Sequence, residues 1–363
     1  MAALAGVRLV AAARRALLWG VCLAVACVSG VPRPSVLRAA APPARRTVPA
    51  PALQPETPAR PAAAVGAAKH LGGGTSGRPV RPAYGPGGYR NEVVALMYHA
   101  FRPHPTAGDV ISPANLAAQF RLMRQDGFHP ITLARFEAFV RGRASVPPNA
   151  VLLTFDNGYR SFYQVAYPLL RRYHYPAVLF AIVRWLSPGG APPGIHPLTW
   201  AQVRAMAQSG LVDVQSQTWN LHAGVAVGPG RVEAADIGRA WSPAGGRETL
   251  AQYEARVGAD LLRARQTLQR RLGAPVQAFA YPFGDYRPRL IRLLHQAGYR
   301  YLFAAKLGWG NLSGQNPQVL FRLNSGAYTV TAPGAIAAIR QVARDTALHP
   351  GWRPPRRSIE VWP

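Results

Sequence analysis

Residue types that support hydrolysis stand in several short segments of this sequence. Asp156 and Asn157 are adjacent, His99 and His222 stand in two other segments, and a Pro-x-Gly turn spans 282–284. A carboxylate can act as a base, and an imidazole can act as an acid or bind a metal. The N–H groups of a turn can stabilise an oxyanion. These residue types predict a hydrolytic site, provided that the fold brings them together.

Each of these residues follows a segment with the pattern of a buried strand. Strands are predicted over 93–98, 151–155, 177–183, 211–216, 277–281, 301–305 and 319–323. Helices with apolar residues at helical spacing are predicted over 112–127, 133–141, 200–208, 250–272 and 334–344, with another through 169–172. Strands that alternate with helices predict an α/β domain with a parallel sheet, in the form of a barrel. Because active sites of such barrels lie at the carboxyl ends of strands, we expect the residues named above on one rim.

Composition limits the class of protein. The chain has 363 residues, of which 49% are hydrophobic and 16% are charged, and this excludes a wholly disordered chain or a coiled coil. Lys and Arg number 42 against 15 Asp and Glu, a net charge of +27. Such an excess attracts polyanions, for example a negatively charged cell envelope or a nucleic acid. The export signal described next, and the lack of any nucleic-acid motif, count against nucleic acid.

The N-terminal quarter differs from the rest. Residues 1–30 have a basic start, an apolar run and the small-x-small pattern Ala24-Val25-Ala26, as in a signal peptide. Three outcomes are open: cleavage and secretion, lipidation of Cys27, or retention as a membrane anchor at the outer face of the cytoplasmic membrane. Residues 31–91 are rich in Pro, Ala, Gly and Arg, which predicts a disordered linker. The folded domain is expected over 92–345, followed by a basic tail over 346–363.

Four motifs resemble one family. TFDNGY, SQTWNLH and AYPFG resemble the first three motifs of the polysaccharide deacetylases (carbohydrate esterase family 4, the NodB homology domain). The leading LMYHAF resembles the branch that deacetylates poly-β-1,6-N-acetylglucosamine. The resemblance covers roughly 93–345. It implies a distorted (β/α)7 barrel and a divalent metal, usually zinc.

The resemblance also implies roles for single residues. Asp156 matches the catalytic base, His99 matches the general acid, and the main-chain N–H of Phe283 matches the oxyanion donor. Four aromatic residues are expected to contact substrate: Tyr159, Trp219, Tyr281 and Trp309.

The chain departs from the family at the metal ligands. The family uses Asp, His and His, whereas the matching residues here are Asn157, Gln217 and His222. A neutral amide offers only a carbonyl oxygen, which binds zinc less well than an imidazole or a carboxylate does. The metal is therefore expected to be weakly held or absent.

Two functions from different classes follow. The first is an exported hydrolase that removes N-acetyl groups from an amino-sugar polymer such as poly-N-acetylglucosamine, peptidoglycan glycan or a related polysaccharide. The second is a catalytically degenerate domain that binds cell-envelope glycan without hydrolysis, held near the anionic envelope by its basic tail. The pair Asp156 and His99 favours the enzyme, because a pure binder needs neither. The amides Asn157 and Gln217 favour the binder.

Overall fold

A computed structural model describes residues 81–305 and 308–351. The α-helices of these residues are α1 (Pro113–Gln125), α2 (Leu133–Val140), α3 (Tyr167–Tyr173), α4 (Trp200–Gln208), α5 (Leu250–Leu272), α6 (Pro288–Gln296) and α7 (Ala332–Leu348). The strands are β1 (Ala83–Gly85), β2 (Gly88–Arg90), β3 (Glu92–Tyr98), β4 (Ala100–Phe101), β5 (Val110–Ile111), β6 (His129–Pro130), β7 (Ala150–Asn157), β8 (Ala177–Ile182), β9 (Val212–Thr218), β10 (Gly224–Gly228), β11 (Arg231–Ala234), β12 (Trp241–Ser242), β13 (Gly246–Arg247), β14 (Ala278–Ala280), β15 (Tyr301–Phe303), β16 (Asn311–Leu312) and β17 (Leu323–Asn324).

The main sheet is built from parallel strands. Its order is β15-β14-β9-β8-β7-β3, with β17 parallel to β3 on the far side and β16 antiparallel to the start of β3. Phe303 of β15 also forms a parallel bridge with Leu320, just before β17. The segment from Leu320 to Asn324 therefore links the two edges of the sheet. This curled α/β sheet confirms the predicted fold class.

Helix ends follow the capping signals in the sequence. The side chains of Thr199 and Thr249 accept hydrogen bonds from the third helical N–H of α4 and α5, and a glutamine at that position bonds back to the cap. Such reciprocal caps satisfy N–H groups that have no partner within the helix. Gly273, at φ 66°, ends α5 in the left-handed conformation that glycine adopts without steric cost. The predicted bounds of α4 and α5 are confirmed.

The two faces of each strand enter different hydrophobic clusters. In β7, Val151, Leu153 and Phe155 pack with the surrounding helices, whereas Leu152 belongs to a second cluster inside the curled sheet. Helix α2 contributes Leu133, Phe136, Phe139 and Val140 to that inner cluster. Because side chains alternate along a strand, Thr154 and Asp156 lie on the same inner face as Leu152. The alternation of side chains along β7 therefore places the Asp156 carboxylate on the inner face of the sheet.

The folded part begins earlier than predicted. β1 and β2 form an antiparallel hairpin within the expected linker. Tyr89 is fully buried, its hydroxyl donates to the Ala150 carbonyl at 2.7 Å, and its N–H donates to Asn149 at 2.9 Å. One buried aromatic ring is enough to fix this short segment on the start of β7, although its neighbours are Gly, Pro and Arg. The remainder of the predicted linker and the predicted signal segment lie outside the described residues.

The C-terminal boundaries also shift. α7 continues to Leu348 and buries Thr346, so the helix extends past the predicted domain end at 345. The predicted strand over 319–323 is reduced to a bridge at Leu320 and a short strand at Leu323–Asn324. Most of the predicted basic tail lies outside the described residues. None of the helices formed by the described residues is both long enough and apolar enough to cross a membrane.

A buried carboxyl group at the start of β3 gives a test of this packing. Glu92 is fully buried, and burial raises its pKa from 4.5 to about 8, partly offset by the Thr346 hydroxyl. Because the folded chain binds the proton more tightly than the unfolded chain, this group's contribution to stability is complete below pH 4.5. It is lost as the pH rises toward 8.

We therefore expect Glu92→Gln to weaken the fall in unfolding free energy between pH 5 and pH 9. Urea unfolding at the two pH values measures it, with Glu254→Gln at a partly exposed carboxylate as the control. An unchanged pH dependence in Glu92→Gln would show that Glu92 is not buried as an acid.

Candidate active site

The site is centred on the Asp156 carboxylate at the carboxyl end of β7. Asp156 is 3% exposed. Its Oδ1 lies 2.6 Å from Nη1 of Arg322, and its Oδ2 lies 3.9 Å from Nε2 of His99. One oxygen is thus engaged by a cation, while the other faces an imidazole. The sequence prediction that Asp156 and His99 meet at one rim is matched by this geometry.

Arg322 fixes the carboxylate and was not predicted from the sequence. Its side chain is 1% exposed and also donates to Thr154 Oγ1 and to the Ala304 carbonyl, each at 3.3 Å. Its guanidinium lies over the Phe180 ring, 5.4 Å from the centroid. A planar guanidinium with several fixed partners orients a carboxylate more strictly than a flexible ammonium group would. The sequence did contain one indication of its role, because Arg322 is the only charged residue in the apolar run 319–323 that was predicted as the last strand.

His99 lies between two carboxylates. Its Nδ1 is 4.0 Å from Oδ2 of Asp109, while Nε2 faces Asp156. The Nδ1 atom is buried and has no hydrogen-bond partner among the described residues. The imidazole is 15% exposed, so a bound molecule can reach it. Asp109, in the loop before β5, is a second residue that sequence reasoning missed.

Asn157 stands in a tight turn at the end of β7. Its φ is 72°, and the Gly158 N–H donates to the Asp156 carbonyl at 2.9 Å. Asparagine tolerates positive φ better than most residues do. The Asn157 amide donates to the Tyr159 hydroxyl at 3.2 Å, and burial raises the pKa of that hydroxyl. The Asn157 Oδ1 is buried without a partner in the described part of the chain.

Gln217 occupies a bulge at the end of β9. Ala181 pairs with Ser216 and Ile182 pairs with Thr218, so Gln217 is the extra residue between them. A bulge of this kind redirects a side chain relative to the strand. Gln217 is 1% exposed, and its Oε1 lacks a hydrogen-bond partner within the described residues.

His222 completes the set on the loop after β9. Its ring centroid lies 4.3 Å from that of Phe283 and 6.4 Å from that of Trp185. Burial, and then the charge of His99, lower the pKa of His222 to about 4, although Asp156 acts in the opposite direction. The imidazole is therefore neutral at physiological pH, the form that binds metals.

Helix α5 holds the loop that carries His222. The Asp260 carboxylate accepts hydrogen bonds from the N–H groups of Trp219 and Asn220, at 2.7 and 2.8 Å. One face of the Trp219 ring is covered by the Arg263 guanidinium, 3.9 Å from the centroid. Trp219 therefore has at most one face for a sugar, and its contact with substrate stays a prediction.

The turn at 282–284 has the constrained backbone that the prediction of an oxyanion donor requires. Phe283 has a φ of 58°, and a Cβ added to Gly284 would lie 2.7 Å from the Ala305 side chain. Side chains larger than hydrogen are thus excluded at 284, which keeps the turn tight. The role of the Phe283 N–H stays a prediction.

Two predicted substrate contacts are wrong. Tyr281 is 1% exposed and donates its hydroxyl to the Gln318 carbonyl, so its ring is part of the core. Trp309 precedes β16, which pairs with the start of β3, whereas His99 follows the end of β3. A seven-residue strand spans about 20 Å, so Trp309 lies at the opposite end of the sheet. Proximity to a motif in sequence did not distinguish a packing aromatic from a sugar-binding one.

The predicted metal ligands fit a divalent cation in donor type. His222 is a neutral imidazole, and Asn157 Oδ1 and Gln217 Oε1 are buried oxygens without a partner in the described residues. The described residues contain no group of three or more His, Cys, Asp or Glu arranged to hold a metal. If the three predicted residues are the ligands, two amides among them predict weaker zinc binding than one carboxylate and two imidazoles provide.

The chain is similar to known polysaccharide deacetylases. A family model described as polysaccharide deacetylase matches residues 143–302. The poly-beta-1,6-N-acetyl-D-glucosamine N-deacetylase of Escherichia coli (strain K12) is 32% identical over 249 residues, which are 64% of this chain and 37% of that protein. The protein of the same name from Staphylococcus epidermidis is 22% identical over 228 residues, 59% of this chain and 72% of that protein. The chain thus spans little more than a third of the length of its Escherichia coli relative.

Solved structures show the same fold. A de-N-acetylase from Aggregatibacter actinomycetemcomitans superposes with a TM-score of 0.61 at 28% identity, covering 69% of this chain and 99% of that chain. The BpsB deacetylase domain from Bordetella bronchiseptica gives a TM-score of 0.57 at 29% identity, covering 64% and 95%. Residues 143–302 therefore match the polysaccharide deacetylase family, and the described residues have the fold of its NodB-type domain.

The buried ion pair predicts a large effect on stability. We expect Arg322→Met to lower the unfolding free energy by about 3–5 kcal/mol, because it leaves the buried Asp156 carboxylate without its counter-ion. Denaturant unfolding measures the loss. The matched control is Arg340→Met, whose exposed pair with Asp126 is expected to contribute at most about 1 kcal/mol. Equal losses in both variants would contradict the proposed dependence on Arg322.

Restoring the family's ligands predicts tighter metal binding. We expect the double substitution Asn157→Asp and Gln217→His to increase zinc affinity at least about 100-fold, since even outer-shell changes alter affinity about 10–100-fold. Isothermal titration calorimetry on the full chain measures it. Adding His222→Ala to the double variant should remove most of the gain. Zinc affinity unchanged by the double substitution would mean that these three residues do not form the metal position.

Proposed function

We propose that the chain is an N-deacetylase that removes acetyl groups from an amino-sugar polymer. The observation that carries this proposal is the distance of 3.9 Å between the Asp156 carboxylate and the His99 imidazole, at the rim where parallel strands end. A base and an acid placed this close can act on two atoms of one amide bond. The match of residues 143–302 to the polysaccharide deacetylase family supports the same chemistry.

In the proposed reaction, water attacks the acetyl carbonyl carbon. Asp156 accepts a proton from that water, a C–O bond forms, and the negative charge on the carbonyl oxygen is stabilised by the Phe283 N–H. His99 donates a proton to the nitrogen as the C–N bond breaks. The products are acetate and a free amine on the sugar. A divalent metal bound by His222, Asn157 and Gln217 would supply polarisation of the carbonyl and a lower pKa for bound water.

The proposed substrate is an N-acetylated glycan. Relatives named for poly-beta-1,6-N-acetyl-D-glucosamine suggest that polymer, and peptidoglycan glycan or a related polysaccharide has the same acetamido group. We further propose that the chain is exported by residues 1–30 and attracted to an anionic cell envelope by its net charge of +27. Nucleic acid is not proposed as a partner.

A second candidate is glycan binding without hydrolysis. The specific observation that favours it is the pair of buried, unpartnered amide oxygens, Asn157 Oδ1 and Gln217 Oε1. Both can accept hydrogen bonds from sugar hydroxyl groups, and buried polar atoms are normally satisfied by some partner. In that case the amides would hold substrate where the family holds a metal.

Acetate release from N-acetylglucosamine oligomers by the full chain, with and without zinc or cobalt, separates the two functions. We expect metal-stimulated release, and Asp156→Asn should reduce kcat/KM at least about 100-fold because it removes the base. Asp126→Asn, at a partly exposed carboxylate, is the control and should leave the rate unchanged. No release together with retained oligomer binding would reject the enzyme in favour of the binder.

A further inference from the structure

A cavity of about 300 Å³ lies beside the Asp156 site. It borders Tyr159, whose hydroxyl accepts a hydrogen bond from Asn157. Apart from that tyrosine, the ionisable side chains that line it are Arg102, Arg160 and His196. No carboxylate lines the cavity, so its charge is positive next to the proposed reaction centre.

The backbone that carries these side chains is fixed to the end of β7. The Arg160 N–H donates to the His196 carbonyl at 2.8 Å, and the Leu198 N–H donates to the Gly158 carbonyl at 2.9 Å. On the other wall, the Phe101 N–H donates to Ser161 Oγ at 3.1 Å. The cavity is therefore part of the same framework as Asp156 and does not depend on a free loop.

Surface arginines of the described residues differ in whether they pair with a carboxylate. Arg287, Arg289, Arg292 and Arg340 each pair with a carboxylate, at 2.7–3.6 Å. Arg102 and Arg160 are exposed and form no ion pair within the described residues. Asp109, the acid that faces His99, accepts a hydrogen bond from Asn324 at 2.7 Å. With 42 basic and 15 acidic residues, many arginines have no acidic partner, and what distinguishes these two is their position in a cavity beside the proposed reaction centre.

We propose that this cavity is a subsite for an anionic group on the glycan, adjacent to the N-acetylated sugar. This inference rests on the proposed function and narrows it to an acidic polymer. Guanidinium groups bind carboxylate and phosphate through paired N–H donors, so either group on the polymer has the required chemistry. A strictly neutral poly-N-acetylglucosamine would leave the two arginines unpaired.

Binding of matched oligomers to the full chain tests the subsite. The probes are a neutral N-acetylglucosamine tetramer, a tetramer with carboxylate-bearing lactyl ethers on alternate sugars, and a phosphorylated tetramer. Calorimetry uses the Asp156→Asn background, so that hydrolysis does not consume the probe. We expect an anionic probe to bind at least about tenfold more tightly than the neutral one, as a charged hydrogen bond provides. The carboxylate and phosphate arms identify which anion is preferred.

In Arg102→Gln with Arg160→Gln, the ratio of neutral to anionic Kd should fall to about one. Arg171→Gln with Arg204→Gln removes the same charge from exposed positions of α3 and α4 and should leave the ratio intact. Equal affinity for all probes, or equal loss in the control pair, would overturn the subsite. Acetate release by the wild-type chain is measured separately. Acetate release without tighter binding of an anionic probe rejects only the subsite. Tighter binding of an anionic probe without acetate release rejects only the hydrolytic function.

Discussion

The buried ion pair between Arg322 and Asp156 is the interaction on which the site depends. Arg322 lies in the segment that links the two edges of the sheet, and Asp156 lies on the inner face of β7. The contact that orients the carboxylate therefore also holds this segment against β7. Removing two charges from water costs free energy. This desolvation penalty is offset here by the ion pair at 2.6 Å and by the hydrogen bonds from the guanidinium to Thr154 and Ala304. The remaining carboxylate oxygen is left facing His99.

Around that pair, three local devices place the other groups. The turn at Asn157 ends β7, the bulge at Gln217 redirects a side chain at the end of β9, and Asp260 holds the loop that leads to His222. Each device departs from regular strand geometry at the carboxyl edge of the sheet. Asp156 and His99, the proposed base and acid, lie at this edge, whereas two of the three predicted ligand positions are amides. The proposed site therefore combines two proton-transfer groups with a predicted metal position that is weaker than one built from a carboxylate and two imidazoles.

Much of the fold could be predicted from the sequence because its signals are local. The caps at Thr199 and Thr249 and the apolar face of α5 set helix bounds to the residue. Because active sites of such folds lie at the carboxyl ends of strands, Asp156 and His99 were predicted to lie on the same rim. Arg322 was missed because its partner lies 166 positions away, and only the closure of the sheet brings them together. Tyr281 and Trp309 were misassigned because an aromatic residue near a motif has the same sequence pattern in a core and in a binding site.

The most direct test of the central claim is a crystal structure of Asp156→Asn with an N-acetylglucosamine oligomer. If the chain is a deacetylase, the acetyl carbonyl carbon lies beside the side chain at position 156, and the amide nitrogen lies within hydrogen-bond distance of His99 Nε2. An oligomer whose hydroxyl groups bind Asn157 Oδ1 and Gln217 Oε1, with its acetyl group away from His99, would contradict the hydrolytic role of the site.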